Sequence, residues 1–398
     1  MLQNAIEAPA ELQPGLHRFT RMERVHWGRP ACAVLGEELA LIGARRVLVV
    51  TNASLSGSAE ISALGEALGE KGVGRFTGVT AHSPRECVLA GARMAGESKA
   101  DLLLAVGGGS VIDATKAMLL CLRHGYTTSE QLEPHANVRA PDLGHAPADA
   151  DRWIRMIAVP TTLSGAEFAS SAGLTDKQRG LKHAFTHPMQ IPQAVILDPA
   201  MTLPTPLGLL KSTGMKAVDH AAERMTSAAA NPYSDAVSVL ALRLLYEALV
   251  RLDEQPRDLD LRSKLQYGMF MSLCGSASGV AVNVSHAIGH VLGAHAGVPH
   301  GETTGTVLPA VLRWNREATR EAQRQIAGAL GAKDGDAAAA VSSLVVKLGL
   351  PSRLRDVGVR REDLGTLAQK SMHEALLRNS RKPVNGPADI AEILETAW

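Results

Sequence analysis

The sequence predicts an α/β domain built on a parallel sheet, followed by an all-helical domain. Between about residues 40 and 200, short runs rich in β-branched residues alternate with helical patterns, as is typical of parallel α/β sheets. After Pro204 the patterns become long and amphipathic, with no convincing strand. The stretch ILDPAMTLPTP (196–206) contains three prolines and separates the two patterns. We therefore predict domains at residues 1–203 and 204–398.

Short apolar runs mark the strands of the first domain. We predict strands at 45–52, 75–80, 100–109, 155–162 and 194–199, with a helix at 84–98 between the second and third. Residues 18–30 are expected to form an edge strand that crosses between the domains. The stretch between Cys121 and Trp153 is rich in Pro, Ala, Asp and His without periodicity, which predicts a surface loop.

Composition limits the classes of function. The chain has 398 residues, 45% of them hydrophobic, and a net charge of +1, so it can bury two cores and has no electrostatic reason to bind nucleic acid or a membrane. It contains no run of about 18 apolar residues and begins without the pattern of an export signal. The four cysteines are scattered, with no C-x-x-C pair. We expect a protein of the reducing cytoplasm without disulfides.

A glycine-rich loop follows the third predicted strand. In LLLAVGGGSVIDATKAM (102–118), Gly107, Gly108 and Gly109 precede Ser110 and a helix that carries Asp113. Glycines let backbone N–H groups approach a phosphate closely, and a helix N-terminus adds partial positive charge. The pattern therefore predicts a cradle for the diphosphate of a dinucleotide. The alternative is a tight turn that binds nothing.

Two other strand ends carry polar side chains. The loop VPTTLSGAEF (159–168) offers the hydroxyls of Thr161, Thr162 and Ser164, which either contact a ligand or cap a helix. The first strand ends at Asn52 without an acidic residue. An acid there would repel a 2′-phosphate, so NADH and NADPH both stay open as cofactors.

Histidines concentrate in VSHAIGHVLGAHAGVPHGETTG (284–305), which contains His286, His290, His295 and His300. The first two are four residues apart on a predicted helix, and His300 returns after a turn, so three imidazoles can converge. Structural or substrate-facing roles are the alternative to a metal site.

The stretch STGMKAVDHAAE (212–223) has the spacing of a metal-binding helix. Lys216 and His220 are four residues apart and share one face, where a metal site would have a carboxylate and an imidazole. A protonated lysine cannot ligate a metal. Asp219 does not replace the carboxylate, because the residue before His220 points about 100° away around the helix.

Taken together, these motifs resemble the iron-containing (group III) alcohol dehydrogenase superfamily over nearly the whole chain. The motifs that carry the resemblance occur in order as GGGSVIDATKA, PTTLSGAEF, VILDPAMTL, GMKAVDHAAE and HAIGHVLGAHAGVPHGE. The resemblance implies a Rossmann-like dinucleotide-binding domain and an all-helical catalytic domain, the architecture shared with dehydroquinate synthase. It also implies an active site between the domains and a homodimer.

Metal-dependent members of that superfamily hold the metal with G-M-D-x-x-x-H and with the first and last histidines of H-x3-H-x9-H. The matching residues here are Lys216, His220, His286 and His300, with His290 as a further histidine of the active site. The three histidines would hold Fe or Zn if a metal binds. Lys182 matches a lysine that contacts the cofactor ribose, although a surface charge is the alternative.

One branch, the maleylacetate reductases, typically has Asn at the carboxylate position and works without metal. This chain is similar to that branch in HVLG, PHGET and PTTLSGAEF, but has Lys216 and lacks the usual second histidine after Glu-Thr. The resemblance implies a metal-independent NAD(P)H-dependent reductase of an unsaturated keto acid. Lys216 would take the role of the metal or anchor a substrate carboxylate, and His286 and His290 would donate protons. In the alternative, Lys216 extends to solvent.

Two other functions fit the sequence. One is a metal-dependent alcohol dehydrogenase acting on a small alcohol or aldehyde. The other is a dinucleotide-binding protein with a disabled catalytic site, serving as a sensor or assembly subunit.

Overall fold

The computed structural model describes residues 16–138, 147–298 and 300–398, and only the backbone of residue 300. Within these ranges the chain forms two compact units. Residues 19–206 form one unit, and residues 16–18 together with 207–398 form the other. Each unit is described by itself.

The described residues of the first unit form an α/β structure with eight strands and four helices. The strands are β1 (Arg24–Trp27), β2 (Val47–Asn52), β3 (Gly72–Val79), β4 (Leu102–Gly107), β5 (Arg155–Pro160), β6 (Ser171–Asp176), β7 (Leu181–Thr186) and β8 (Ala194–Leu197). The helices are α1 (Ala31–Ile42), α2 (Ala59–Leu68), α3 (Arg85–Glu97) and α4 (Gly109–His124). Six strands form a parallel sheet in the order β1-β8-β5-β4-β2-β3, and β6 pairs with β7 in an antiparallel hairpin.

The centre of the sheet is formed by continuous apolar strands, because helices cover both faces of a parallel sheet. All six residues of β4 are buried. Gly107 at its end is aligned with Pro160 at the end of β5. The N–H of Thr161 then donates to the carbonyl of Gly107 at 3.0 Å, so the two loops that follow these strands start side by side.

The predicted strands and the helix after β3 are confirmed, within a few residues at each end. The expected edge strand is also present, as β1 on the outer side of β8. The hairpin of β6 and β7 was not predicted. Its turn contains Gly180 with a φ of 64°, a conformation that glycine adopts readily. Between Gly125 and Ile154 the described residues form only short 3-10 turns, as expected for a loop, and residues 139–146 lie outside the described part.

The second unit is helical. Its helices are α5 (Leu207–Met225), α6 (Pro232–Leu249), α7 (Leu259–Cys274), α8 (Val284–Ala296), α9 (His300–Trp314), α10 (Arg320–Ala329), α11 (Ala337–Lys347), α12 (Leu364–Ser371) and α13 (Pro387–Ala397). The described residues from 207 to 398 contain no strand beyond an isolated bridge between Ser227 and Ser380, which confirms the predicted helical half.

Local sequence signals define several helix starts. Asn231 caps α6 by accepting from the N–H of Ser234, whose hydroxyl accepts in turn from the N–H of Asn231. Asp258 caps α7 in a similar way. An apolar core joins α8, α9, α12 and α13. No helix in the described part of the chain is long and apolar enough to cross a membrane.

Helix α5 is buried along nearly its whole length, although it carries many polar side chains. Every residue from Ser212 to Met225 is buried. The polar and charged residues among them include Lys216, Asp219, His220, Glu223 and Arg224. Buried charges are costly unless other groups pair with them, so this helix needs polar partners from its neighbours. Those partners come largely from α8.

Candidate active site: a glycine cradle and a buried polar cluster

The glycine loop of the α/β unit leads into the N-terminus of α4. The N–H groups of Val111 and Ile112 bond to the carbonyl of Gly108 at 2.9 and 3.2 Å. The N–H groups of Gly109 and Ser110 precede these and have no carbonyl one turn back in the helix, so they can donate to an anion. The helix adds partial positive charge at the same point. The local structure therefore fits a phosphate group.

The loop packs closely against the second predicted loop. A Cβ added to Gly108 would lie 3.0 Å from Cγ2 of Thr162, and a Cβ on Gly109 would lie 2.9 Å from Oγ of Ser164. A Cβ on Gly107 would collide with Val111 at 2.6 Å. A Cβ at Gly107 or Gly109 would force Val111 or Ser164 to move, so glycine allows this close packing. The structure thus brings the two predicted cofactor loops together. We call these two loops, at residues 107–110 and 161–164, the cradle.

Two predicted cofactor residues use their side chains to hold neighbouring loops. The hydroxyl oxygen of Ser110 accepts from the N–H of His82 at 3.2 Å. The side-chain oxygen of Asn52 accepts from the hydroxyl of Ser54 at 2.9 Å and from the N–H of Leu55 at 3.0 Å. Both side chains order the edge of the sheet beside the cradle.

Asp113 and Lys182 meet where the β6–β7 hairpin contacts α4. A carboxylate oxygen of Asp113 accepts from the N–H of Gly173 at 3.0 Å, and the other lies 3.3 Å from Nζ of Lys116. Lys182 is exposed on β7, and its Cε would lie 2.7 Å from a Cβ on Gly173. The structure therefore groups these two predicted cofactor residues around Gly173.

A buried pair behind the cradle was missed by sequence reasoning. The ammonium of Lys116 is fully buried and donates to the carbonyls of Ala166 and Ser171, the latter at 2.8 Å. Glu167 is also fully buried, and no neighbouring residue in the described part of the chain donates a hydrogen bond to its carboxylate. Burial raises the pKa of Glu167 to about 7, against the opposing charge of Lys116. Both residues lie inside the quoted motifs, but their burial is visible only in three dimensions.

In the helical unit, Lys216 and His220 lie one turn apart on α5, as their spacing predicted, and each is only 7% exposed. Burial lowers the pKa of His220 well below its usual range, and the positive charges of Lys216 and Arg224 lower it further. His220 is therefore neutral near neutral pH. Its Nδ1 is buried and has no hydrogen-bond partner among the described residues.

His286 joins this pair from α8. Its ring stacks on that of His220, with the centroids 4.9 Å apart and the planes 22° from parallel. Nδ1 of His286 lies 2.7 Å from Oε2 of Glu223 and 3.4 Å from Oδ2 of Asp219. The structure thus brings together two of the three histidines that the motifs proposed, together with two carboxyl groups that they did not.

Glu223 holds the beginning of α8. One carboxylate oxygen accepts from the N–H of Ser285 at 2.6 Å, and the other from the N–H groups of Asn283 at 3.0 Å and His286 at 3.3 Å. Burial raises the pKa of Glu223 to about 8, the charge of Asp219 acts in the same direction, and the N–H groups oppose both. Glu223 thus satisfies the N-terminal donors of α8.

Asp219 faces away from His220, as its position on the helix predicted, and contacts two other helices. Its Oδ2 accepts from the hydroxyls of Ser285 on α8 and Thr304 on α9, both at 3.1 Å. Burial raises the pKa of Asp219 to about 6, and the positive charge of Lys216 opposes the rise. Asp219 and Glu223 are four residues apart on α5, a spacing that places them on one helix face but does not indicate that this face is buried.

The other two candidate histidines are His290 on α8 and His300 at the start of α9. His290 is exposed within the helical unit, one turn after His286, and its Nδ1 lies 3.1 Å from a carboxylate oxygen of Glu374. His300 begins α9, and its side chain lies outside the described part. The next residue, Gly301, approaches α5 so closely that a Cβ there would lie 2.7 Å from Oγ of Ser212. The start of α9 therefore lies against α5 one turn before Lys216.

The donor atoms of Asp219, Glu223 and His286 lie within 4.8 Å of one another, which raises the question of a metal. Tetrahedral zinc with bonds of about 2.1 Å separates its ligand atoms by about 3.4 Å. The 2.7 Å between Glu223 and His286 is instead the length of a hydrogen bond. These three residues therefore fit a hydrogen-bonded network and do not fit a metal as they are packed.

Comparisons with known proteins agree with the motifs. Residues 23–199 match the model of the iron-containing alcohol dehydrogenase family, and residues 211–398 match the model of that family's C-terminal part. The chain is 30% identical to maleylacetate reductase of Burkholderia cepacia over 353 residues, which cover 88% of this chain and 90% of the relative. It is 29% identical to lactaldehyde reductase of Escherichia coli K12 over 394 residues, 96% of this chain and 100% of the relative.

A solved structure gives the same result for the fold. The crystal structure of maleylacetate reductase from Agrobacterium tumefaciens has a TM-score of 0.81 and 26% identity, covering 97% of this chain and 99% of that one. The chain therefore belongs to the iron-containing alcohol dehydrogenase family, and it is an NAD(P)-dependent oxidoreductase.

Proposed function

We propose that this protein is a metal-independent reductase that uses NADH or NADPH to reduce an unsaturated keto acid, as the name of the maleylacetate reductase relatives suggests. The observation that carries the proposal is the buried Lys216 at the position where metal-dependent relatives have their only carboxylate ligand. The same relatives match the chain over most of its length at 28–30% identity.

The chemistry of Lys216 supports this proposal. An ammonium and a divalent cation in one low-dielectric site repel each other, so the lysine and a metal compete for the same place. The influence of Lys216 on the pKa values of both His220 and Asp219 indicates that its charge acts within the polar cluster. A fixed positive charge can stabilise negative charge that develops on a substrate oxygen, which is the task a metal performs as a Lewis acid.

In this proposal the protein binds the cofactor, stabilises negative charge on the substrate and supplies a proton. We assign dinucleotide binding to the predicted residues Asn52, Gly107, Gly108, Gly109, Ser110, Asp113, Thr161, Thr162, Ser164 and Lys182. The nicotinamide, when bound, supplies a hydride to the substrate. Each hydride must be matched by a proton, and His286 and His290 are the proposed donors. Lys216 holds the substrate oxygen or its carboxylate, and His220 and His300 line the same site.

A second candidate is a metal-dependent alcohol dehydrogenase acting on a small alcohol or aldehyde. The observation that favours it is the retention of His220, His286 and His300 in a chain that aligns with the full length of a lactaldehyde reductase. Three histidines alone can hold zinc. In that case Fe or Zn would bind despite Lys216.

The test is the rate of NADH and NADPH oxidation with maleylacetate, measured on protein stripped with EDTA and on the same protein supplied with Fe²⁺ or Zn²⁺. We expect the stripped protein to be active. Activity that appears only with added metal, or only with a simple aldehyde such as lactaldehyde, would overturn the proposal in favour of the dehydrogenase.

Lys211 provides a matched control for the role of Lys216 on the same helix. Its ammonium pairs with Asp253 on the surface at 2.6 Å. We expect Lys216→Met to remove most of the turnover and Lys211→Met to leave it unchanged. Equal activity of the two variants would contradict the assigned role.

We further propose that the protein is a cytoplasmic homodimer. Analytical ultracentrifugation of the purified protein tests whether it assembles as a dimer.

A further inference from the structure

The helical unit contains a cavity whose lining residues have no part in the proposed reaction. It has a volume of about 450 Å³ and lies between α9, α11, α13 and the segment 351–355. Gly305 and Arg313 both line it and are eight residues apart on α9, so the cavity extends along about two turns of that helix, roughly 12 Å. Clefts of this size hold small molecules in other proteins.

An arginine belongs to each end of the cavity. At one end α9 packs closely on the segment 351–355, because a Cβ on Gly305 would lie only 3.0 Å from the carbonyl oxygen of Pro351. This contact places the backbone of Arg353, two residues further along, at that end. At the other end, Nη2 of Arg313 donates to Oγ of Ser342 on α11 at 3.3 Å. Both arginines line the cavity.

The positive charges of these two arginines are not matched by the protein. Neither Arg313 nor Arg353 forms an ion pair with a carboxylate in the described part of the chain. Other arginines of this unit do form such pairs: Arg316, Arg320, Arg324, Arg360 and Arg361. Glu395 also lines the cavity, but its carboxylate already pairs with Arg361 at 3.1 Å. The wall therefore offers two guanidinium groups to an anion.

The wall of the cavity also carries apolar groups. Pro309 lines it from α9, and Val346, which is 68% exposed, lines it from α11. The indole ring of Trp398 forms another part of the wall. Its Nε1 donates to the carbonyl of Val359 at 3.1 Å, and the guanidinium of Arg355 lies 4.5 Å from the ring centroid, so the ring is held in place. Carbon atoms of a ligand would cover these exposed apolar groups.

We propose that this cavity binds a small dicarboxylate, with one carboxylate on Arg353, the other on Arg313, and the carbon chain over Pro309 and Trp398. Two negative groups match the two guanidinium groups, and the pairing of guanidinium with carboxylate is strong and geometrically specific. A carbon chain suits the apolar groups between them. The site shares no residue with the proposed catalytic set, so it does not depend on the proposed function.

Binding at this cavity also concerns the polar cluster, because α9 takes part in both. The hydroxyl of Thr304 donates to Asp219 at 3.1 Å, and the next residue, Gly305, lines the cavity. A ligand held between α9 and the segment 351–355 binds only the folded helical unit. It therefore stabilises the helix that carries Thr304.

The first test observes the wall of the cavity directly. Protein made with 5-fluorotryptophan gives ¹⁹F NMR signals from its four tryptophans, and the signal of Trp398 is assigned by its loss in Trp398→Phe. The probe is adipate, an unbranched dicarboxylate. Hexanoate, which has the same chain length and one carboxylate, and sodium chloride at equal ionic strength are the controls.

We expect adipate to shift the Trp398 signal of the wild-type protein in a saturable way. Hexanoate should bind about tenfold more weakly or less, because it lacks one charge-assisted contact. An unchanged Trp398 signal, or one that shifts equally with chloride, would overturn the proposal. Equal affinity for hexanoate would overturn the assignment of a dicarboxylate.

The second test removes the guanidinium groups singly. We expect Arg313→Gln and Arg353→Gln each to weaken adipate binding about tenfold. Arg316→Gln is the matched control, because Arg316 is exposed, follows the same helix and pairs with Asp336 at 3.3 Å. Its affinity for adipate should equal that of the wild type. Equal weakening in all three variants would show attraction by surface charge in general and would refute a site at the cavity.

A further variant separates this cavity from the candidate active site, where Lys216 could also attract a carboxylate. We expect the shift of the Trp398 signal by adipate to persist in Lys216→Met. If the shift disappears in Lys216→Met and persists in Arg313→Gln and Arg353→Gln, the dicarboxylate binds at the polar cluster and the proposal is wrong. Because these titrations need no turnover, a failure of the proposed reductase activity with maleylacetate would leave their result unaffected.

Discussion

Replacing Glu167 with glutamine removes a buried carboxyl group from the loop that lines the cradle. Burial raises the pKa of Glu167 from an ordinary value of 4.5 to about 7 in the folded protein. Between these values the unfolded chain releases a proton that the folded protein retains, so stability falls as pH rises through that window and is constant above it. The difference between the two pKa values corresponds to about 3 kcal/mol. Glutamine has nearly the same shape and does not titrate, so Glu167→Gln should lose this pH dependence.

The assay is urea unfolding of wild-type protein and Glu167→Gln at about pH 5 and about pH 8, where we expect the variant to gain about 2–3 kcal/mol relative to wild type over that interval. Glu97, exposed near the end of α3, provides the control substitution Glu97→Gln. A constant difference between Glu167→Gln and wild type at the two pH values would refute the reasoning. It would mean that the carboxyl group is ionised in the folded state with a partner that stabilises it.

Two further predictions concern glycines that allow close approach. In Gly109→Ala the new Cβ meets Ser164 and narrows the cradle. The KM for NADPH should therefore rise about tenfold or more, which corresponds to ~1.4 kcal/mol. The control Gly36→Ala, with no described atom within 4 Å of its Cβ, should leave the KM unchanged. Gly301→Ala pushes the start of α9 away from Ser212, so it should cost about 1–3 kcal/mol of stability and lower turnover, and adding Ser212→Ala should restore part of both. An unchanged KM in the first variant, or a fully stable and active second variant, would contradict the packing described.

The fold was predictable because its signals are local. The apolar run of β4 and the glycine loop after it identify a buried parallel strand that enters a helix, and the amphipathic patterns after Pro204 identify helices. The β6–β7 hairpin was not predictable from these signals, because β7 alternates weakly and is largely exposed. The predicted domain boundary between residues 203 and 204 stays a prediction.

The sequence pointed to His220 and His286, which the structure brings together, but not to the carboxyl groups beside them. The spacing of Lys216 and His220 specifies a common helix face, and the structure has both on it. Glu223 lies three residues after His220 in an ordinary-looking HAAE, and no periodicity indicates that it is buried beneath α8. Its partners are backbone N–H groups of a segment 60 residues away, which only tertiary packing can bring into contact. The roles of the other predicted site residues stay predictions.

The central claim is that Lys216 occupies the role of the metal. The most direct measurement compares the affinity of stripped wild-type protein and of Lys216→Asp for Zn²⁺ and Fe²⁺, by equilibrium dialysis with metal analysis. The variant restores the carboxylate that metal-dependent relatives have at this position. We predict that Lys216→Asp binds metal at least about tenfold more tightly than the wild type, a difference of ~1.4 kcal/mol or more. Equally tight binding by the wild type would show that its three histidines suffice and would contradict the claim.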